Sequence, residues 1–273
     1  MHGSLERLAK FLRKVGEEAP KAAFVGGDIL PNRARLPEPA DFLKDHFLKG
    51  LAALRAKMGD LYPSVFAILG NDDGRWGEGM MEEASRAGLL TYVHARKAAL
   101  ARWAVYGYSY VPPTPFRLKD WERYDVSRYV DPGSTSPEEG IRTVAVAPEE
   151  VRYATIREDL DTLAGGEDLS KAVFLFHTPP HDTALDRAAL DGVRVDHVQV
   201  DLHVGSIAVR RFIETRQPLL TLHGHIHESA RLTGSWRTTI GRTIAISAAH
   251  DGPELALVRF DLEDPRGASR ELL

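Results

Sequence analysis

Four short apolar runs in this chain stop abruptly, and each is followed by side chains of the kinds that bind metal ions. Residues 22–25 lead into Gly26, Gly27 and Asp28. Residues 65–69 lead into Gly70, Asn71, Asp72 and Asp73. Residues 173–176 lead into His177, which opens a loop reaching His181. Residues 219–222 lead into His223, Gly224, His225, Ile226 and His227. Apolar runs of four or five residues bounded by turn residues have the length of buried strands. Runs 103–106, 243–246 and 255–260 share that character, and helical periodicity covers 4–15, 41–58, 148–163 and 206–215. Strands alternating with helices predict an α/β fold. In open α/β sheets, ligands gather outside the carboxyl ends of the strands, so the four polar loops are expected to converge. The last strands follow one another without a helical pattern, which predicts antiparallel pairing in the second half.

No repeat or low-complexity linker divides the 273 residues, so one domain over 1–273 is expected. A Pro-rich stretch at 111–147 has little periodicity and reads either as a lid or insert over a pocket or as a plain surface excursion. A net charge of -4 offers no basic footprint for an extended nucleic-acid surface. No apolar run approaches the roughly 18 residues of a membrane span. The chain has no Cys, which excludes disulfides and thiolate zinc sites and fits a reducing cytoplasm.

Any metal must therefore be held by imidazole, carboxylate and amide oxygen, a set that suits manganese, iron, zinc or nickel. Asp28 has two carboxylate oxygens and can bridge two ions. His225 and His227, separated by Ile226, can splay towards different ions, and Asn71 can offer its amide oxygen. Each ligating His needs an acceptor for its second ring N–H, for which Asp72, Asp73 and backbone carbonyls are candidates. Taken singly, a Gly-Asp turn or a histidine at a strand end is usually structural. Three histidines within five residues rarely serve packing, and the four motifs together argue for chemistry. Arg75 and His203 are candidate substrate contacts, His203 because it precedes a predicted helix whose start at Gly205 and Ser206 can bind an anion. Trp76 and His181 can line the same pocket. His46, His94 and His197 read as solvated or structural.

The series Gly-Asp, Gly-Asn-x-Asp, His and Gly-His-x-His, carried here by Gly27-Asp28, Gly70 to Asp73, His177 and Gly224 to His227, resembles the signature of the calcineurin-like metallophosphoesterases. That resemblance, which runs from His2 to about Asp251, implies a four-layer α/β/β/α sandwich with mixed sheets and a centre of two divalent ions. By position, one ion would be held by His2, Asp28 and His227, and the other by Asp28, Asn71, His177 and His225. It implies hydrolysis of a small-molecule phosphoester or nucleotide by a hydroxide held between the ions. Asn71 would position the centre, and His223 or another pocket group would stabilise developing charge.

Two departures matter. The family opens with Asp-x-His at a strand end, whereas here His2 follows Met1 directly and the Asp would precede it. A chain beginning at Met1 is then expected to have a weakened or empty first metal site and a gap in its sheet. The family's Gly-Asn-His-Asp/Glu is also Gly70-Asn71-Asp72-Asp73 here, similar to a prokaryotic branch with Asn or Asp at that place. The replaced His serves as general acid, a role Asp72 can take only with a raised pKa. A phosphodiester, with its better leaving group, is therefore favoured over a monoester. The rival expectations are a phosphomonoesterase, a non-catalytic binding protein on the same fold, and a metallohydrolase of amide or lactam bonds. The last usually carries an HxHxD cluster, which is absent from the sequence.

Overall fold

The apolar runs become strands, and the strands assemble into two principal sheets. A computed structural model describes residues 1–31 and 42–273. β1 (Ala22–Gly26), β2 (Ser64–Ile68) and β3 (Thr91–Tyr92) form a parallel sheet in that order. The second sheet joins β4 (Arg96–Leu100), β5 (Trp103–Tyr108), β6 (Ala172–Phe176), β9 (Leu220–His223), β10 (Arg237–Ile240) and β11 (Thr243–Ser247). Its order is β10-β11-β9-β6-β5-β4, parallel in the centre and antiparallel at both edges. Among the described residues β7 (Arg194–Val195) pairs only with β8 (Val198–Gln199), and β12 (Ala256–Arg259) only with β13 (Ser269–Leu272), both antiparallel. The chain is thus a mixed α/β fold. The antiparallel pairing expected in the second half is found at β10–β11 and β12–β13.

The helices are α1 (Leu5–Glu18), α2 (Lys49–Met58), α3 (Glu78–Arg86), α4 (Pro148–Tyr153), α5 (Ile156–Ala164), α6 (Ile207–Arg216) and α7 (Ser229–Thr233). α2 continues a π-helical stretch, Phe42–Leu48, and the predicted start at Asp41 lies outside the described residues. The single helix expected over 148–163 is two, because Thr155 is extended and its side chain caps α5 by accepting from the Glu158 N–H. Ser4 caps α1 in the same way through the Arg7 N–H.

Strand alternation sorts the core. Phe66 and Ile68 of β2, Val173 and Leu175 of β6, Leu220 and Leu222 of β9, and Ile244 and Ile246 of β11 share one buried cluster. Among the described residues that cluster contains no α-helical side chain. The opposite parity, including Ala23 and Val25 of β1, Val65 and Ala67 of β2, and Phe174 and Phe176 of β6, packs with Phe11, Leu51 and Phe212 from helices. A period of two thus gives each central strand an inter-sheet face and a helix-covered face. No helix among the described residues is long and apolar enough to cross a membrane.

Segment 111–147 carries no strand or helix but has a buried centre of its own. Trp121 and Lys119 are fully buried. The Lys119 ammonium donates to the Thr114 carbonyl at 2.8 Å and pairs with Glu122, which also accepts from the Thr114 N–H at 2.7 Å. The segment is fastened to α6 by Asp125, whose carboxylate accepts from Ser206 Oγ at 2.5 Å and from the Ile207 N–H at 2.7 Å. It is therefore not a loose excursion. Asp125→Ala leaves the first amides of α6 without their acceptor, and thermal denaturation is expected to show a loss of about 2 kcal/mol.

Candidate metal centre

β1 and β2 from one sheet, and β6 and β9 from the other, end at the same edge of the molecule, where their loops meet. Backbone constraints make the meeting possible. Gly27 has φ +93°, and a Cβ on Gly70 would overlap both Asp28 Oδ1 and the His177 ring. Only glycine fits at these two places. His2, Asp28 and His225 themselves lie in the left-handed region, with φ of 51°, 49° and 69°. Strain of this kind costs of order 1–3 kcal/mol per residue and gathers at functional sites.

Asp28 is buried and its two oxygens face different partners. Oδ2 lies 3.7 Å from His2 Nε2 and 4.0 Å from His227 Nε2, and those two nitrogens are 2.9 Å apart. One ligand atom from each of His2, Asp28 and His227 lies within 4.8 Å of the others. Oδ1 faces His177 Nε2 at 3.3 Å and accepts from the Asp72 N–H at 3.0 Å. His177 Nε2 is also 3.0 Å from Asn71 Oδ1, and the His225 ring centre stands 5.2 Å from that of His177. The structure therefore brings together all six expected metal ligands.

His177 Nδ1 lies 2.7 Å from the Gly26 carbonyl, so it carries the proton and donates. Its Nε2 then points a lone pair at two oxygens, unless a proton or a cation stands between them. Burial disfavours charge on His177, but the Asp28 carboxylate outweighs that and raises its pKa. Burial likewise opposes ionisation of Asp28, yet His177, His2 and His225 hold its carboxyl well below the usual range. His225, pushed down to about 3 by burial and by His177, is neutral and available as a ligand. The donor set fits divalent cations of the borderline class. His2 and His227 side chains keep 24% and 34% exposure, so the outer half of the site is open to solvent.

The other candidates fall into different places. Asp72 Oδ2 sits 3.4 Å from His2 Nδ1, where it orients that ring in the manner of a carboxylate–histidine pair. Asp73, fully buried, accepts from the Ile29, Leu30 and Gly70 N–H groups at 3.2, 2.8 and 2.8 Å, clamping the two ligand loops together. Burial and the nearby Asp28 raise its pKa to about 6.

His223 departs from the expected catalytic position. Its Nδ1 bonds to the Thr178 carbonyl and its Nε2 to Thr221 Oγ1, both at 2.8 Å, and the ring stacks on Phe176. With both nitrogens engaged it has none to offer a phosphoryl oxygen. His223→Phe is therefore expected to lower stability by about 1–3 kcal/mol. Its metal content should stay that of the parent, a result that metal analysis beside a thermal melt will check.

Arg75 is also committed elsewhere. Its guanidinium bonds to Glu78 and Tyr110 and lies over the Trp121 ring, and none of these is a ligand residue. His203 bonds to the buried Asp186 at 2.8 Å, and His181 bonds to Asp201. The helix start beyond His203 does hold an anion, but it is the chain's own Asp125. His94 is buried against Trp121 and accepts from the Ser109 N–H, while His46 and His197 are exposed. Asp73, expected as an acceptor for a ligand histidine, instead accepts three backbone amides, and Asp125 is a buried carboxylate that no local sequence pattern marks.

No protein-family model matches the chain, and no curated protein matches it by sequence. Its structure is similar to the crystal structure of TT1561 of Thermus thermophilus, with a TM-score of 0.55 and 19% identity over 99% of this chain and 94% of that one. TT1561 is of the calcineurin-like metallophosphoesterase type by its fold. At that identity the likeness is one of fold.

Proposed function

We propose that this chain is a metal-dependent phosphoester hydrolase whose centre holds two divalent ions sharing Asp28. The observation that carries this reading is the division of the Asp28 oxygens between two sets of donors. One set is His2 and His227, and the other is His177, His225 and Asn71. Bound there, the ions supply Lewis acidity towards a phosphoryl oxygen and lower the pKa of water. The chain's own groups do the rest. Asp72 and the Gly26 carbonyl hold His2 and His177 in fixed tautomers, with the metal-facing nitrogens deprotonated. Asp73 keeps the two ligand loops in register. Asn71 fixes the position of the centre against β2.

Among the described residues, no histidine stands where the family's general acid would be, and Asp72 is engaged with His2. A phosphodiester or other ester with a good leaving group is the substrate class that fits, whether a small phosphoester or a nucleotide. Segment 111–147, anchored through Asp120 and Asp125, is the part we assign to substrate choice. We infer the four-layer α/β/β/α order from the two core clusters and place the protein in the cytoplasm.

The test is hydrolysis of an aryl phosphodiester with added manganese, run beside thermal melts. Turnover together with a metal-dependent rise in melting temperature supports the reading. At a concentration one hundred times Kd, one ion adds about 2.7 kcal/mol, several degrees for a chain of this size. A melt unmoved by manganese, zinc, iron and nickel, with no turnover, refutes it.

A further inference from the structure

The guanidinium of Arg142, near the end of segment 111–147, is half-buried, and among the described residues no acceptor bonds to it. The other arginines of the segment are matched or exposed. Arg123 pairs with Glu150 and Asp159, Arg128 pairs with Glu138, and Arg117 is in solvent. The carboxylates that act on Arg142 are Asp120, Glu122 and Glu150, and each is already taken. Asp120 holds backbone amides, Glu122 pairs with Lys119, and Glu150 pairs with Arg123. Burial therefore opposes the Arg142 charge more than these neighbours support it, and its pKa is lowered. A guanidinium withdrawn from water needs a partner to offset the loss.

The groups around it are also donors without acceptors. Tyr110, which acts on Arg142 as well, accepts from Arg75 Nη1 at 3.3 Å, and its own O–H proton has no acceptor among the described residues. Trp121, whose ring lies 5.5 Å from that of Tyr110, is fully buried with its Nε1 unpartnered.

The ligand loops fix where these donors stand. Beyond Asn71 the chain continues to Arg75 and Trp76, and segment 111–147 is pinned there. Asp120 accepts from the Arg75 N–H at 2.7 Å and from the Thr143 N–H at 2.8 Å, and Thr143 Oγ1 accepts from the Trp76 N–H at 3.2 Å. Arg142 is joined directly to Thr143. On the other side, Tyr110 lies just past β5, whose Tyr108 carbonyl accepts from the His177 N–H at 3.0 Å. Arg142 is thereby held beside the half of the centre formed by Asn71, His177 and His225, by bonds that leave its own side chain free.

We propose that Arg142, with Tyr110, anchors a second phosphate group of the substrate, one that the reaction leaves intact, next to the phosphoester that the two ions hold. The inference rests on the phosphoester-hydrolase reading and narrows its substrate to a diester that carries a terminal phosphate. A guanidinium offers five N–H donors in a planar fork, and the phenol adds one O–H. That set matches the three oxygens of a terminal phosphate better than the two of a carboxylate. Arg142 touches the spectator phosphate and not the reacting atoms, so it sets substrate preference and not the chemical step.

The test measures binding of two dinucleotides with manganese present, one carrying a 5′-phosphate and one lacking it, with turnover of both read alongside. The parent is expected to bind the phosphorylated form roughly 10- to 100-fold more tightly, the range of one charge-assisted pair. Arg142→Gln should remove that preference, and Arg142→Lys, which keeps the charge but not the fork, should keep part of it. A parent without the preference, or an Arg142→Gln variant that retains it, overturns the proposal. Turnover reads the hydrolase separately. If neither dinucleotide is cleaved but the preference is present and lost in Arg142→Gln, the phosphate anchor stands and the hydrolase reading fails. If Arg142→Gln does not fold, Arg142→Lys decides: a reduced preference supports the anchor, and an unchanged one overturns it.

Discussion

Asp28→Asn is expected to leave the chain folded, to take up one ion where the proposed centre takes two, and to lack nearly all of the proposed hydrolytic activity. The carboxylate is the one group that touches both donor sets, Oδ2 towards His2 and His227 and Oδ1 towards His177. An amide keeps one oxygen and turns an N–H₂ to the other set, so only one set retains an oxygen ligand. Loss of a group that merely orients a ligand costs roughly 10–100-fold in metal affinity or activity, and loss of the shared ligand should exceed that, by at least about 10³-fold in turnover. Without metal the substitution removes the carboxylate that His177, His2 and His225 favour, so a modest loss of stability is expected. The variant should therefore melt somewhat below the metal-free parent and gain little from added manganese. Paired melts with and without the ion, together with turnover, check both halves.

Asp73→Ala carries the largest expected loss of stability. Its carboxylate accepts three buried N–H groups, two from the loop after β1 and one from the loop after β2. Each orphaned donor costs about 1–3 kcal/mol, so a loss of about 4–6 kcal/mol is expected. For a chain of this size that lowers the melting temperature by about 10–20 °C. Asp73→Asn retains one accepting oxygen and should lose about half as much. Equal melting temperatures for Asp73→Ala and the parent would show that the clamp between the loops is not needed.

The strands were legible because burial on both faces leaves β2 and β6 as apolar runs, and β1 and β9 stay largely apolar although β1 alternates in burial and β9 carries Thr221. β4 and β13 were not, because Arg96–Leu100 and Ser269–Leu272 are edge strands with charged, solvated side chains. α3 was hidden by the glycines that open it. Five of the six expected ligands, Asp28, Asn71, His177, His225 and His227, were readable from their places beyond strand ends, whereas His2 came only from the family resemblance. His223 was misread because it belongs to a cluster of histidines, whereas its place is the last residue of β9. Alternation there puts it beside Thr221, on the side opposite Leu222 and against Phe176, while His225 lies past the strand where the chain can turn to the centre. Asp73 reaches back 44 residues to Ile29, a contact no local pattern announces.

The measurement that bears most directly on the shared-carboxylate centre is a metal count on protein equilibrated with excess manganese and freed of unbound ion. The shared-carboxylate centre predicts two ions per chain for the parent, with the one at Asn71, His177 and His225 the tighter, and fewer than two for Asp28→Asn. No bound ion in the parent, or a count that Asp28→Asn leaves unchanged, would contradict it.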